Sequence, residues 1–268
     1  MSNLARLNCC PEGERNKIYS ILIPPTILKT FQIDPETFQN AKEERVVEVI
    51  CHGRGEATIE VRLNPKDKDC TFYMDITDSS DLVQLLWSFI NINDPYGGRF
   101  DTDVDEQGND VWLKWGTRNI REEERSMRAG LAPGQIRRGL RLMNEVNMCL
   151  DTFCNVLNIK SIFMEALFYH NAIIYERHGF RYFEGEKRMR RINEAFAPGG
   201  KLYEKLDGST PFRQRGAEKT VRGRSWAIHD GILNDIVDEI LDEPWHPPKM
   251  YRMVGKYYTV DTFPGGQY

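Results

Sequence analysis

Long apolar runs are missing from this sequence: none approaches the ~18 residues that a membrane-spanning helix needs. Cysteine is sparse, six in 268 residues, at positions 9, 10, 51, 70, 149 and 154. Disulfide scaffolds are shorter and denser in cysteine, so these read as reduced thiols of a cytoplasmic protein. Cys9, Cys10, Cys51 and His52 match no CxxC ligand spacing, and no metal is expected. His229-Asp230 and His246 have no third ligand at a recognisable spacing and read as structural histidines. No Ser or Cys stands in a nucleophile elbow, which disfavours serine hydrolase chemistry. Excess positive charge is absent too. At a net charge of -4 the composition does not point to a dedicated nucleic-acid binder. Residues 1–15 lack the apolar core of a signal peptide, and no repeat suggests a solenoid.

What is present is enough apolar material for a real core: 40% hydrophobic residues, 11% of the chain aromatic. Ile21-Leu22-Ile23-Pro24-Pro25 reads as an N-terminal strand or arm, and Asp34-Pro35-Glu36 as the start of a short helix. Residues 46–51 and 58–63 read as strands joined by a Gly-containing turn, and 70–76 as a third strand. The apolar spacing of residues 80–90 predicts a helix. Beyond the breaker Asp94-Pro95-Tyr96-Gly97-Gly98, residues 99–104 and 110–115 flank a hairpin connection, and 121–128 form a charged, solvated helix. Residues 133–157 predict the longest helix, ended by Asn158, with a buried strand at 159–166 after it. A helix over 171–178 stops at Gly179, and 180–183 form a further strand. The stretch 188–224 is basic. An amphipathic helix is expected at 227–241, and the last twenty residues read as an aromatic tail packed on the body.

Two motifs in this order carry chemistry. Pro133-Gly134-Gln135-Ile136-Arg137-Arg138-Gly139-Leu140-Arg141 reads as a helix start, where unpaired amides and the helix dipole suit a pyrophosphate. Gly139 would let backbone approach phosphate oxygens, with Arg137, Arg138 and Arg141 adding charge-assisted hydrogen bonds. Tyr175-Glu176-Arg177-His178-Gly179-Phe180 is the second motif, a helix end that passes into a strand.

Together these motifs resemble the acyl-CoA-binding half of the GNAT (Gcn5-related N-acetyltransferase) superfamily. Against that family's Arg/Gln-x-x-Gly-x-Gly/Ala loop only the middle glycine, Gly139, matches; Ile136 and Arg141 hold the flanking positions. The resemblance implies an α/β fold with a mixed, mostly antiparallel sheet and helices on both faces. It implies a core over 44–185, preceded by an arm at 1–43 and followed by a helical and irregular extension at 186–268. The implied activity is transfer of an acyl group from acyl-CoA, or from the phosphopantetheine of an acyl carrier protein, to an amine of a small molecule or peptide. Residues 135–141 would hold the cofactor. Tyr175 would protonate the leaving thiolate, and Glu165 or His170 would act as base. Two other readings stand beside it: a non-catalytic GNAT-like module that binds a ligand or partner, and an anion or nucleic-acid binder using 188–224.

Overall fold

The computed structural model describes residues 3–53, 55–64, 66–111, 118–241 and 244–268. Its strands form a seven-stranded mixed sheet in the order β1-β2-β3-β4-β5-β7-β6, so the protein belongs to the α/β class. By contact the chain divides into two units. The first comprises 1–97, 139–165 and 251–258; the second comprises 98–138, 166–250 and 259–268.

The first unit is built on an antiparallel meander. β1 (Val47–His52) and β2 (Glu56–Val61) pair from Val47↔Val61 to His52↔Glu56, and β3 (Phe72–Asp78) continues the sheet from Val61↔Phe72. Alternate residues of β3 and the neighbouring strands supply the core, including Ile59, Val61, Phe72, Met74 and Ile76. The helix predicted at 80–90 is instead β4 (Gln84–Ile92), antiparallel to β3. Leu85 and Trp87 are buried while Leu86 and Ser88 are exposed, the two-residue period of a strand. Leu82 also sits in the left-handed region at φ 59, where a helix would have to be starting.

Ahead of the meander lie α1 (Leu4–Asn8), α2 (Glu12–Tyr19), a 3-10 turn at Ser20–Leu22 and α3 (Pro25–Thr30). The segment 21–25, expected as a strand or arm, instead ends the 3-10 turn at Leu22 and opens α3 at Pro25, and residues 34–37 form a turn rather than a helix start. Asp34 bonds the amides of Glu36 and Thr37 locally, which competes with helix formation. The Asp78 carboxylate accepts from the Leu4 and Ala5 amides at 2.9 Å each and so caps α1 from the sheet.

α5 (Met143–Leu157) begins ten residues later than predicted from Pro133, and Asn158 at φ 57 ends it. Val146, Leu150, Phe153, Cys154 and Leu157 line its buried face, and Phe153 stacks on Tyr19 at 5.7 Å between ring centroids. β5 (Ser161–Glu165) follows, parallel to β4. Parallel neighbours need a crossover, and α5 supplies it.

In the second unit, α4 (Ile120–Arg128) matches the charged helix expected there. Of the expected hairpin at 99–104 and 110–115, the described residues show the bridge Val104↔Asp110, and its part at 112–115 lies outside the described residues. α6 (Tyr169–Arg177) and β6 (Arg181–Glu184) lie close to the predicted bounds. α7 (Glu186–Ala195), α8 (Lys201–Glu204) and α9 (Val221–His229) complete the helices. The helix predicted at 227–241 thus lies earlier, at α9. Thr220 caps it by accepting from the Gly223 amide, and Gly231 at φ 83 breaks it. Within the expected tail, β7 (Lys249–Met253) is a strand.

Trp226 is the pivot of this unit's core. It is 1% exposed, donates Nε1–H to the Leu131 carbonyl at 2.8 Å and stacks on Phe212. Gly134 is equally constrained: its φ is 77, and a Cβ there would stand 2.6 Å from the Phe168 ring. Left-handed backbone costs a Cβ-bearing residue roughly 1–2 kcal/mol and overpacking typically about 1–3 more. Gly134→Ala is therefore expected to destabilise the protein by about 2–4 kcal/mol in urea titration. A loss of only a few tenths would show that Phe168 moves freely.

Candidate functional site

In the first unit, one end of β4 gathers the features a ligand could use. β4 and β5 pair only over Gln84↔Ser161, Leu85↔Ile162 and Leu86↔Phe163. β4 runs on to Ile92, held on its other edge by β3 out to Phe72↔Ile92. Among the described residues, the β4–β5 register ends at Leu86↔Phe163, and β4 continues past it as a strand edge. Backbone N–H and C=O groups on such an edge can hold an extended ligand as an added strand would be held.

The chain returns to this end of β4 at Gly139. A Cβ at 139 would lie 3.2 Å from the Ile92 carbonyl oxygen, so the bare α-carbon serves close approach to β4. The sequence suggested the same bareness for a phosphate; the structure uses it against a strand. Leu140 and the exposed Arg141 then lead into α5, with Arg141 in the left-handed region at φ 60. Residues 137–141 are not a helix start. That position falls to Met143, Asn144 and Glu145, and the N-cap Leu142 supplies no side-chain hydrogen bond. The Glu145 carboxylate is engaged elsewhere, accepting from the Thr26 amide at 2.9 Å and its hydroxyl at 2.5 Å. First-turn amides without a cap carry the helix's positive end and attract anions.

The other residues predicted for the loop lie in the second unit. The Gln135 side chain accepts from the Ala132 amide at 2.7 Å, and its carbonyl accepts from the Thr102 hydroxyl. The Ile136 carbonyl accepts from the Phe100 amide at 2.8 Å. These two residues are tied to the segment at 100–102 by their own backbone. Arg137 is half-buried and Arg138 exposed. The nine-residue motif is thus split between the units after Arg138.

Of the three residues predicted for acid–base work, Glu165 is exposed at the end of β5 in the first unit. His170 and Tyr175 lie on α6 in the second. His170 is 3% exposed, with Nδ1 2.9 Å from the Ser225 hydroxyl. Burial first, then the positive charge of Arg222 and of His229, pushes its pKa down to about 3. It is neutral near pH 7, and its depth leaves it poorly placed to serve an incoming acceptor as base. The unfolded chain takes up a proton near pH 6.5 that the folded one refuses until about pH 3. Stability should therefore fall as pH drops below that upper value, by up to ~1.4 kcal/mol per unit. His170→Gln should flatten the slope of unfolding free energy between pH 7 and 5; an unchanged slope would mean another group sets it.

Tyr175 is 8% exposed and packs on Phe180 at 5.9 Å between centroids. Burial chiefly, and the Tyr268 phenol in addition, raise its pKa well above the usual phenol value. Its neighbour Glu176, 4% exposed, accepts from the Tyr182 hydroxyl and from both the amide and hydroxyl of Thr262.

A second charged assembly escaped the sequence reading. Arg118 bonds both Glu123 and Asp230, and Asp230 also accepts from Arg213 at 2.9 Å and Thr210 at 2.8 Å. Burial pushes the Glu123 carboxyl up, but hydrogen bonds from His229 and Arg118 outweigh it, and the net shift is downward. Its members span 112 residues between Arg118 and Asp230, so no local signal announces it. Several basic residues of the 188–224 stretch are also paired with carboxylates. Arg190 pairs with Glu186, Arg191 with Asp238, Arg213 with Asp235 and Arg215 with Glu204, while Arg224 is buried. Among the described residues no group of three or more His, Cys, Asp or Glu side chains could hold a metal, and no helix is long and apolar enough to cross a membrane.

Comparison with protein-family models, curated proteins and solved structures finds no match to this chain.

Proposed function

We propose that this protein is a divergent GNAT-like N-acyltransferase that takes its acyl group from acyl-CoA, or from the same pantetheine arm on an acyl carrier protein. The observation that carries the reading is the parallel pairing of β4 with β5 across the α5 crossover, which among the described residues runs only from Gln84↔Ser161 to Leu86↔Phe163. A pantetheine arm bears amides along an extended chain, and an open strand edge offers matching donors and acceptors. The diphosphate fits the uncapped first turn of α5, with Arg141 exposed just ahead of it. In support stands the order of elements: strand, loop, long helix, parallel strand, and then the helix bearing Tyr175.

In this reading the thioester supplies the acyl carbon, and a neutral amine of a small molecule or peptide attacks it. A backbone N–H of β4 beyond Leu86 is the donor for the developing oxyanion. The resemblance assigns the proton of the departing thiolate to Tyr175, and the nitrogen gives up its surplus proton to water as the amide forms. The ion pairs of Arg190, Arg191 and Arg213 weigh against the nucleic-acid alternative, because paired arginines release few counterions. Acetyl-CoA and a long-chain acyl-CoA, each at 100 times its dissociation constant, should stabilise the protein by about 2.7 kcal/mol. An unmoved melting temperature with both would refute the reading. Binding without transfer to any amine would leave the non-catalytic alternative.

A further inference from the structure

The donor site proposed above gives the acyl group a place to go. A pantetheine arm that follows β4 from Ile92 toward Leu86 arrives at the pair Leu86↔Phe163, where β4 and β5 join. Hydrogen-bonded strands stand only about 4.8 Å apart, so the acyl chain cannot continue between them. It turns onto one face of the sheet or the other.

One face is closed. Leu85 and Ile162 are direct partners across the two strands, and both are 0% exposed in the core. Leu86 and Phe163 are the next pair, so their side chains point to the opposite face. Leu86 is 36% exposed there, and Phe163 is half-buried. β7 is the next strand after β5, and its Tyr251 stacks on Phe163 with ring centroids 5.4 Å apart and planes inclined by 15°. Tyr258 lies beyond, 6.4 Å from Tyr251 between centroids. On the other flank, Thr77 of β3 is the partner of Leu86. Leu82 and Val83, both exposed, add apolar surface where β4 begins. All of these residues belong to the first unit.

The chemistry of this strip selects among acyl groups. From Leu86 to Tyr251 it crosses two strand spacings, roughly 10 Å, which an alkyl chain can cover and an acetyl methyl cannot. Thr77, Leu86, Phe163 and Tyr251 carry no charge, so an acyl group ending in a carboxylate finds no counter-ion among them. Glu165, two residues beyond Phe163 on the same face of β5, would repel one. Contiguous apolar surface of this kind marks a binding site, where single exposed leucines do not.

We infer that the acyl group transferred is an uncharged alkyl chain of medium or greater length, which leaves the thioester at the β4–β5 junction and lies over Leu86, Phe163 and Tyr251. This choice of donor rests on the acyltransferase reading.

The test is isothermal titration calorimetry of the full chain with acetyl-CoA, octanoyl-CoA and free octanoate. Wild type is compared with Leu86→Asn, which alters an exposed side chain, and with Tyr251→Gln. A fully buried methylene tightens binding by about fourfold, so even partial burial of the octanoyl chain predicts octanoyl-CoA binding about tenfold or more tighter than acetyl-CoA. Either substitution should shrink that preference by about fivefold or more. Equal affinity of the two thioesters for wild type, a preference unchanged in both variants, or octanoate alone binding as tightly as octanoyl-CoA would each overturn the inference. Equal affinity leaves the transferase reading in place, whereas binding of neither thioester brings down both, so the two failures are distinguishable.

Discussion

Asp151→Ala is expected to cost about 3–5 kcal/mol of stability, although Asp151 sits at the edge of solvent and touches no predicted site residue. The reason lies across the chain at Arg252, whose side chain is fully buried. Its guanidinium donates to Asp151 Oδ2 at 2.9 Å and to Asn147 Oδ1 at 3.3 Å, and it lies over the Tyr257 ring. Asp151 also accepts from the Gly255 amide and the Tyr257 hydroxyl, at 3.2 and 2.9 Å. One carboxylate thus fixes β7 and the turn after it to α5. Removing it leaves a cation deep in the unit without its counter-charge, a worse state than losing the whole pair. Arg252→Met combined with Asp151→Ala should accordingly recover much of the loss. Urea unfolding of the three variants measures this; a loss below about 1 kcal/mol for Asp151→Ala would place Arg252 in contact with water.

Tyr175→Phe should lower kcat by about 10²–10⁴-fold if its phenol is the acid for the departing thiolate. The substitution keeps the ring and its contact with Phe180, so stability should change little beside that loss. Burial makes the phenol a weaker acid than usual, since its pKa is raised. A Tyr175→Phe enzyme turning over at the wild-type rate would remove the acid assignment while leaving the donor site standing.

Local signals account for what was legible beforehand. Strand-like runs joined by a Gly-containing turn marked β1, β2 and β3, and punctuation by Asn158 and Gly179 fixed the ends of α5 and α6. The segment 84–92 misled because Leu85, Trp87 and Ile90 fit both a helical and a strand period; pairing with β3 decided between them. Residues 133–142 misled for a different reason. Gly and Arg there resembled a helix start, but the backbone of Gln135 and Ile136 is committed to the 100–102 segment, and no Ser, Thr, Asp or Asn precedes Met143. Arg252 with Asp151, 101 residues apart, and the Arg118 assembly were invisible because sequence carries no mark of distant pairing. The candidate site was legible in its helix–strand–helix order and not in the positions of its amides.

The proposed donor site on β4 and α5 is tested most directly by amide hydrogen exchange with and without saturating acetyl-CoA. The account expects slowed exchange at amides within residues 87–91 and at Met143–Glu145, the edge beyond the last β4–β5 pair and the first turn of α5. Exchange at both places unaltered by the ligand, or protection confined to another part of the chain, would contradict it.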